Sequence, residues 1–204
     1  MCIRDSFATP VNLTTGGSNG FGINHTGSLY SASGNNTVSG AITNTSASGL
    51  MIGVADGSTL NIASGAMQNS NSPTFNTVGT GVINLGNYTP GTSAFAKLGT
   101  GTLNLTGTAS STAAISVNRG TLNVSGAGAF TATTGGNITV QNNALLKVDD
   151  TGTATARLGG TGRVLTLANG NFTFFANGTA ASSLTFGGLT STCLLYTSPS
   201  PRDS

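Results

Sequence analysis

The sequence predicts an all-β chain wound as a right-handed parallel β-helix, a β-solenoid with about 21 residues per coil and essentially no α-helix. Three observations carry that prediction. Tetrapeptides recur whose second and fourth residues are aliphatic or Phe and whose third is mostly polar, the period-2 alternation of a strand with one buried face. Their spacing is nearly constant, as in repeat architectures. Glycine, 31 of 204 residues, flanks them where a turning chain needs conformations closed to other residues.

Taken in chain order, the tetrapeptides are Thr59–Ile62, Val82–Leu85, Thr102–Leu105, Thr121–Val124, Leu145–Val148, Val164–Leu167 and Ser183–Phe186. Their second residues step by 23, 20, 19, 24, 19 and 19. Shorter apolar stretches fit between them: AFAKL, AAISV, AFTAT, NITV and NFTFF. Two or three strands per coil follow, each pairing with its equivalent one coil above and below. Leu60, Ile83, Leu103, Leu122, Leu146, Leu165 and Leu184 are expected to form one inward ladder. At a strand spacing of roughly 4.8 Å, eight or nine such coils make a rod about 40 Å long. No stretch sustains the i, i+3, i+4 spacing of a helix, and glycine recurs too often for a helix interior. An antiparallel sandwich would explain short strands but not the regular step.

The two ends speak a different language. MCIRDS can be encoded by ATGTGTATAAGAGACAG, whose reverse complement translates as the C-L-L-Y-T found at Cys193–Thr197. The ends therefore resemble one translated sequencing adapter in opposite orientations, as in a metagenomic fragment, and the expected organisation follows. Residues 1–6 are adapter-derived, 7–56 are a less regular β-rich N-terminal part, 57–192 are the solenoid repeats, and 193–204 are an adapter-derived, disordered tail. Both cysteines, Cys2 and Cys193, fall in the excluded ends, so no disulfide or thiolate site is predicted.

Charge narrows the function classes. Outside the two ends the acids are Asp56, Asp149 and Asp150, there is no Glu, and the bases are Lys97, Arg119, Lys147, Arg157 and Arg163. Five scattered cations without interleaved aromatics do not make a nucleic-acid surface. No apolar run approaches the roughly 20 residues of a membrane helix.

The stretch FAKLGTGTLNLTG (Phe95–Gly107) followed by VNRGTLNVSG (Val117–Gly126) resembles the autotransporter-associated β-strand repeat. Lys97, Gly99, Gly101, Thr102, Leu103, Leu105 and Gly107 match the first half of that pattern, and Val117, Gly120, Thr121, Leu122 and Val124 the second. Phe95 stands where the family has Leu, and TASSTAA replaces its glycine-rich turn. The segment Ser33–Thr43 is similar to sequence found between such repeats in large bacterial surface proteins. The resemblance implies a secreted or cell-surface bacterial β-helix, passenger-like, acting as a stalk or adhesin scaffold whose parent is attached to an outer-membrane barrel. Its implied partners are host or environmental glycans or cell surfaces.

A polysaccharide-degrading β-helix, or its non-catalytic module, is the competing class, and it needs converging carboxylates with an Arg or Lys beside them. Asp149 and Asp150 are adjacent, so an extended strand would send them to opposite faces. Asp56 reads as an Asp-Gly turn and His25 as a loop residue with no acid or cysteine near it in sequence. No catalytic residue, cofactor site or metal site is therefore predicted. The remaining candidates form an outward row of Thr59, Asn61, Asn84, Thr102, Asn104, Thr121 and Asn123, a face for ice or glycans. Against that reading, Thr suits any strand surface, stacked Asn can satisfy one another, and the row decays to Lys147, Thr166 and Thr185.

Overall fold

The computed structural model describes residues 2–3, 13–15, 27–44, 49–63, 65–68, 72–89, 94–152 and 156–192. His25 and the 193–204 tail lie outside them. The described chain is all-β without an α-helix, and it winds into a β-solenoid of about six turns with a spacing of about 23 residues. Among the described residues, the coils from Leu29 to Phe130 visit three sheets in turn, and the later coils place strands in two of them. One coil runs through β6 (Leu50–Val54), β7 (Thr59–Ile62) and β8 (Met67–Gln68); the next through β9 (Pro73–Thr77), β10 (Val82–Leu85) and β11 (Tyr88–Thr89). Then come β12 (Phe95–Leu98), β13 (Thr102–Leu105) and β14 (Thr108–Ala109), followed by β15 (Ile115–Val117), β16 (Thr121–Ser125) and β17 (Ala129–Phe130).

Earlier strands extend the same three sheets: β1 (Cys2–Ile3), β2 (Leu13–Thr15), β3 (Leu29–Ser31), β4 (Asn35–Val38) and β5 (Ile42–Asn44). Later ones are β18 (Ile138–Gln141), β19 (Leu145–Asp149), β20 (Gly160–Ala168), β21 (Asn171–Phe175) and β22 (Phe186–Thr192). Among the described residues the sheets have nine, seven and six strands, and all their strand pairings are parallel. We call the seven-stranded one the Thr/Asn sheet.

Register in the Thr/Asn sheet is direct: Asn36, Leu60, Ile83, Leu103, Leu122, Leu146 and Phe172 face one another in successive coils. The alternation does the sorting. In β7, β10 and β13 the second and fourth residues are buried and the first and third are half-buried. Each fully buried aliphatic side chain contributes roughly 1.5–3 kcal/mol, so these ladders supply most of the cohesion. Aromatic rings fill the wider part of the interior: Phe95 lies 5.2 Å from Phe75, 6.4 Å from Tyr88 and 5.8 Å from Phe130 between ring centroids. In the six-stranded sheet Ala109 stands between Tyr88 and Phe130, a small side chain that leaves room for the two large ones.

The ladder departs from expectation at its C-terminal end. Leu165 faces Ile138 in the nine-stranded sheet, and Leu184 precedes β22 instead of forming a ladder rung. Phe172 and Phe174 take the places next to Leu146 and Val148. A period-2 pattern separates inside from outside but does not say which of three sheets a strand joins. Val164–Leu167 mimics the earlier tetrapeptides at a matching distance, and the solenoid has about six turns where the spacing predicts eight or nine. At the other end Asn36 holds the position of Leu60; buried, it donates to Ser31 Oγ at 2.8 Å and to the Ser33 carbonyl at 2.7 Å.

Coil-to-coil bonding continues through the corners. The Thr59, Val82, Thr102, Thr121 and Leu145 amides each donate to a corner carbonyl of the preceding coil at 2.8–3.1 Å. This closeness explains Gly101, where a Cβ would sit 2.2 Å from the Gly81 carbonyl oxygen. Gly57 answers a different need, because its φ is +68° while open space surrounds it. Gly57→Ala should therefore cost about 1–2 kcal/mol, the penalty of a left-handed alanine. Gly101→Ala should cost more, since backbone of two coils must part. Urea unfolding of the two variants checks the order.

Candidate functional site

The sequence singles out the outer row of the Thr/Asn sheet, and the structure brings most of it together. Asn61, Asn84, Asn104 and Asn123 occupy one register position in four consecutive coils. Their amides are joined. Asn84 Nδ2 donates to Asn61 Oδ1 at 2.8 Å, Asn104 to Asn84 at 2.8 Å, and Asn123 to Asn104 at 3.0 Å. At the N-terminal end Asn61 donates to Asn35 Oδ1 at 2.7 Å, so the row crosses there to the neighbouring outward position. An amide suits this duty because it carries a donor and an acceptor on opposite sides, and parallel stacking presents each to its complement.

Thr59, Thr102 and Thr121 form a second, interrupted row, with Val82 between the first two and Leu145 beyond the last. Beyond Asn123 the amide row meets Lys147 and then Thr173; the expected continuation to Thr166 and Thr185 is incorrect, because Thr166 lies in the nine-stranded sheet and Thr185 precedes β22. Lys147 instead turns to Asp149 Oδ2 at 2.9 Å, with its ammonium 4.8 Å from the Phe175 ring centre. The Asn123 Oδ1 is left buried without a partner.

The carboxylates do not converge. Asp149 projects to the surface, and hydrogen bonds from the Thr151 hydroxyl, then Lys147 and the Thr151 amide, hold it down at about 2. Asp150, on the opposite face as adjacency in a strand predicts, is buried against Arg157 Nε. Asp56 accepts from the Thr80 amide at 2.8 Å and hydroxyl at 2.9 Å across one coil, and these bonds lower its pKa. No group of three or more His, Cys, Asp and Glu that could hold a metal occurs among the described residues.

Sequence reasoning missed the interior cations. Lys97, Arg157 and Arg163 are all fully buried. Lys97 stands in an inward ladder between Phe75 and Val117, and its ammonium donates to the carbonyls of Leu98 at 2.6 Å, Gly99 at 2.8 Å and Arg119 at 3.1 Å. Three donors meet three acceptors, which ties two successive corners together. Arg157 adds the Gly128 carbonyl at 2.6 Å to its ion pair. Arg163 reaches the carbonyls of Ser111, Ala113, Ala132 and Gly136, and burial lowers its pKa. The signal available in the sequence was the position of Lys97 itself, two residues after Phe95 in an alternating strand and hence on the same face.

No family model, curated protein or solved structure matches the chain.

Two predictions follow from these contacts. In Asn104→Asp the ionised carboxylate faces the Asn84 carbonyl oxygen, so the variant should lose about 1 kcal/mol at neutral pH. Protonation restores a donor; the folded pKa is raised, and the deficit should shrink as pH falls below it, read as converging thermal midpoints near pH 3. For Lys97, burial pulls the folded pKa from 10.5 to about 7. Between those values the unfolded chain binds more protons, so this residue makes stability rise with pH from about 7 upward. Lys97→Met should flatten that slope in urea titrations between pH 7 and pH 9.5.

Proposed function

We propose that the chain is part of an exported bacterial surface protein of the autotransporter-passenger kind, serving as a stalk or adhesive scaffold without a catalytic centre. The observation that carries this reading is the destination of the charged side chains. Asp150, Arg157, Arg163 and Lys97 point into the solenoid, where they hold backbone carbonyls or each other. Asp56 and Asp149 are occupied in turn and surface contacts. A β-helix that cleaves acidic polysaccharide needs such groups aimed outward at a sugar. Here they tie coil to coil, which serves length and stiffness.

The resemblance of Phe95–Gly107 and Val117–Gly126 to autotransporter-associated repeats supports the same reading. Export, surface location and attachment to an outer-membrane barrel belong to the proposal. The Thr/Asn sheet is the face best placed to meet glycans or cell surfaces, since the Asn84 and Asn104 amides each still have one N–H beyond the ladder bond.

Incubating the purified protein with polyuronates, immobilised glycans and whole cells tests this. We expect retention on glycans or cells with no release of unsaturated or reducing ends, and weaker retention after Thr102→Lys with Thr121→Lys. Turnover of any polysaccharide would replace the scaffold with the enzyme.

A further inference from the structure

After β21 the chain makes a loop around Asn177 and Gly178, and we infer that this loop is a self-modifying site at which Asn177 cyclises and deamidates. The Asn177 Oδ1 accepts three hydrogen bonds: from the Thr179 amide at 2.8 Å, the Thr179 hydroxyl at 2.9 Å and the Ala180 amide at 2.9 Å. Donors at about 2.7–3.1 Å are the arrangement that stabilises an oxyanion when a carbonyl carbon is attacked. The attacking atom is next in the chain. Gly178 carries no side chain to obstruct the approach, and a Cβ built there meets nothing within 4 Å. No hydrogen bond among the described residues pins the peptide plane between Asn177 and Gly178. Around it the loop is anchored, by Asn177 N donating to Ser182 Oγ at 2.8 Å and Asn177 Nδ2 to the Thr151 carbonyl at 3.3 Å.

The step balances with water alone. The Gly178 amide loses its proton to hydroxide, and its nitrogen forms a bond to Asn177 Cγ. The Cγ–Nδ2 bond breaks, Nδ2 takes a proton from water and leaves as ammonia, which regenerates the hydroxide, and a five-membered imide remains. Water then opens the imide at either carbonyl, giving aspartate or isoaspartate at position 177. The products are one carboxylate in place of an amide, plus ammonia. In the aspartate product that carboxylate faces the Thr151 carbonyl to which the amide had donated, and in isoaspartate the backbone runs through Cγ; either way the Nδ2 donor is gone and the loop loses this tie to the preceding coil.

Of the three Asn-Gly pairs in the sequence, Asn19-Gly20 lies outside the described residues, and Asn169-Gly170 provides the contrast within one molecule. Asn169 is left-handed at φ +58°, its carbonyl accepts from the Asn143 amide at 2.7 Å, and Gly170 lies where a Cβ would be 2.4 Å from the Val140 carbonyl oxygen. That peptide plane is held and crowded, so the rotation that cyclisation requires is resisted.

The test ages the folded protein at mildly alkaline pH and reads the Asn169 and Asn177 peptides by mass spectrometry, with urea-unfolded chain as reference. Of these two positions, only 177 should convert in the folded protein, with isoaspartate as a major product, while both convert when unfolded. Thr179→Ala should slow conversion several-fold and Thr179→Ser restore it. An Asn177 that stays an amide in the folded protein would overturn the proposal. So would equal conversion of Asn169, or a Thr179→Ala variant that converts as fast or faster.

Discussion

Parallel, in-register pairing between coils is the constraint on which everything else in this molecule depends. It places each residue beside its own counterpart from the next coil, roughly 4.8 Å away. A side chain must therefore tolerate a neighbour like itself. Leucine and isoleucine do so by packing, and asparagine does so because one amide complements another. Charges of one sign do not, since repulsion would accumulate along the row. This gives a physical reason for a chain with only 6% charged residues. It also accounts for Lys147, a single cation in its row, leaning away to Asp149 and Phe175.

The two kinds of ladder divide the work. Apolar rows supply cohesion, at a few kilocalories per buried side chain, whereas a hydrogen bond such as those between stacked amides nets about 1 kcal/mol. The smaller contribution is the more selective one. An aliphatic row tolerates sliding by two residues with little change, whereas most amides of a row displaced by two residues face no amide, and only a single step such as Asn61 to Asn35 is bridged. Asparagine therefore serves register, and leucine serves stability.

Much of this was legible in the sequence, and the illegible parts share a cause. Alternation in Thr102–Leu105 and Thr121–Val124 reveals inside and outside directly, and adjacency alone separates Asp149 from Asp150. Sheet membership is a three-dimensional property, however, and Val164–Leu167 has the same alternation in the nine-stranded sheet that Thr102–Leu105 has in the Thr/Asn sheet. The interior cations were hidden by a different bias. Composition places Lys and Arg at the surface, yet a solenoid corner where strands end exposes carbonyls inward, and Lys97 and Arg163 satisfy them. The outer Asn row was visible as a row, while its internal bonding required coordinates.

The amide row also has a direction. Every Nδ2 points toward the preceding coil and every Oδ1 toward the following one, from Asn61 to Asn123. Side-chain dipoles so aligned add, as peptide dipoles do in a helix, and leave partial positive charge at one end of the rod and partial negative charge at the other. The negative end is the unpaired Asn123 Oδ1, and the next register position holds the cation Lys147. The stack is thus electrically polar along its axis, and its negative end stays uncapped, because the Lys147 ammonium that could neutralise it turns to Asp149.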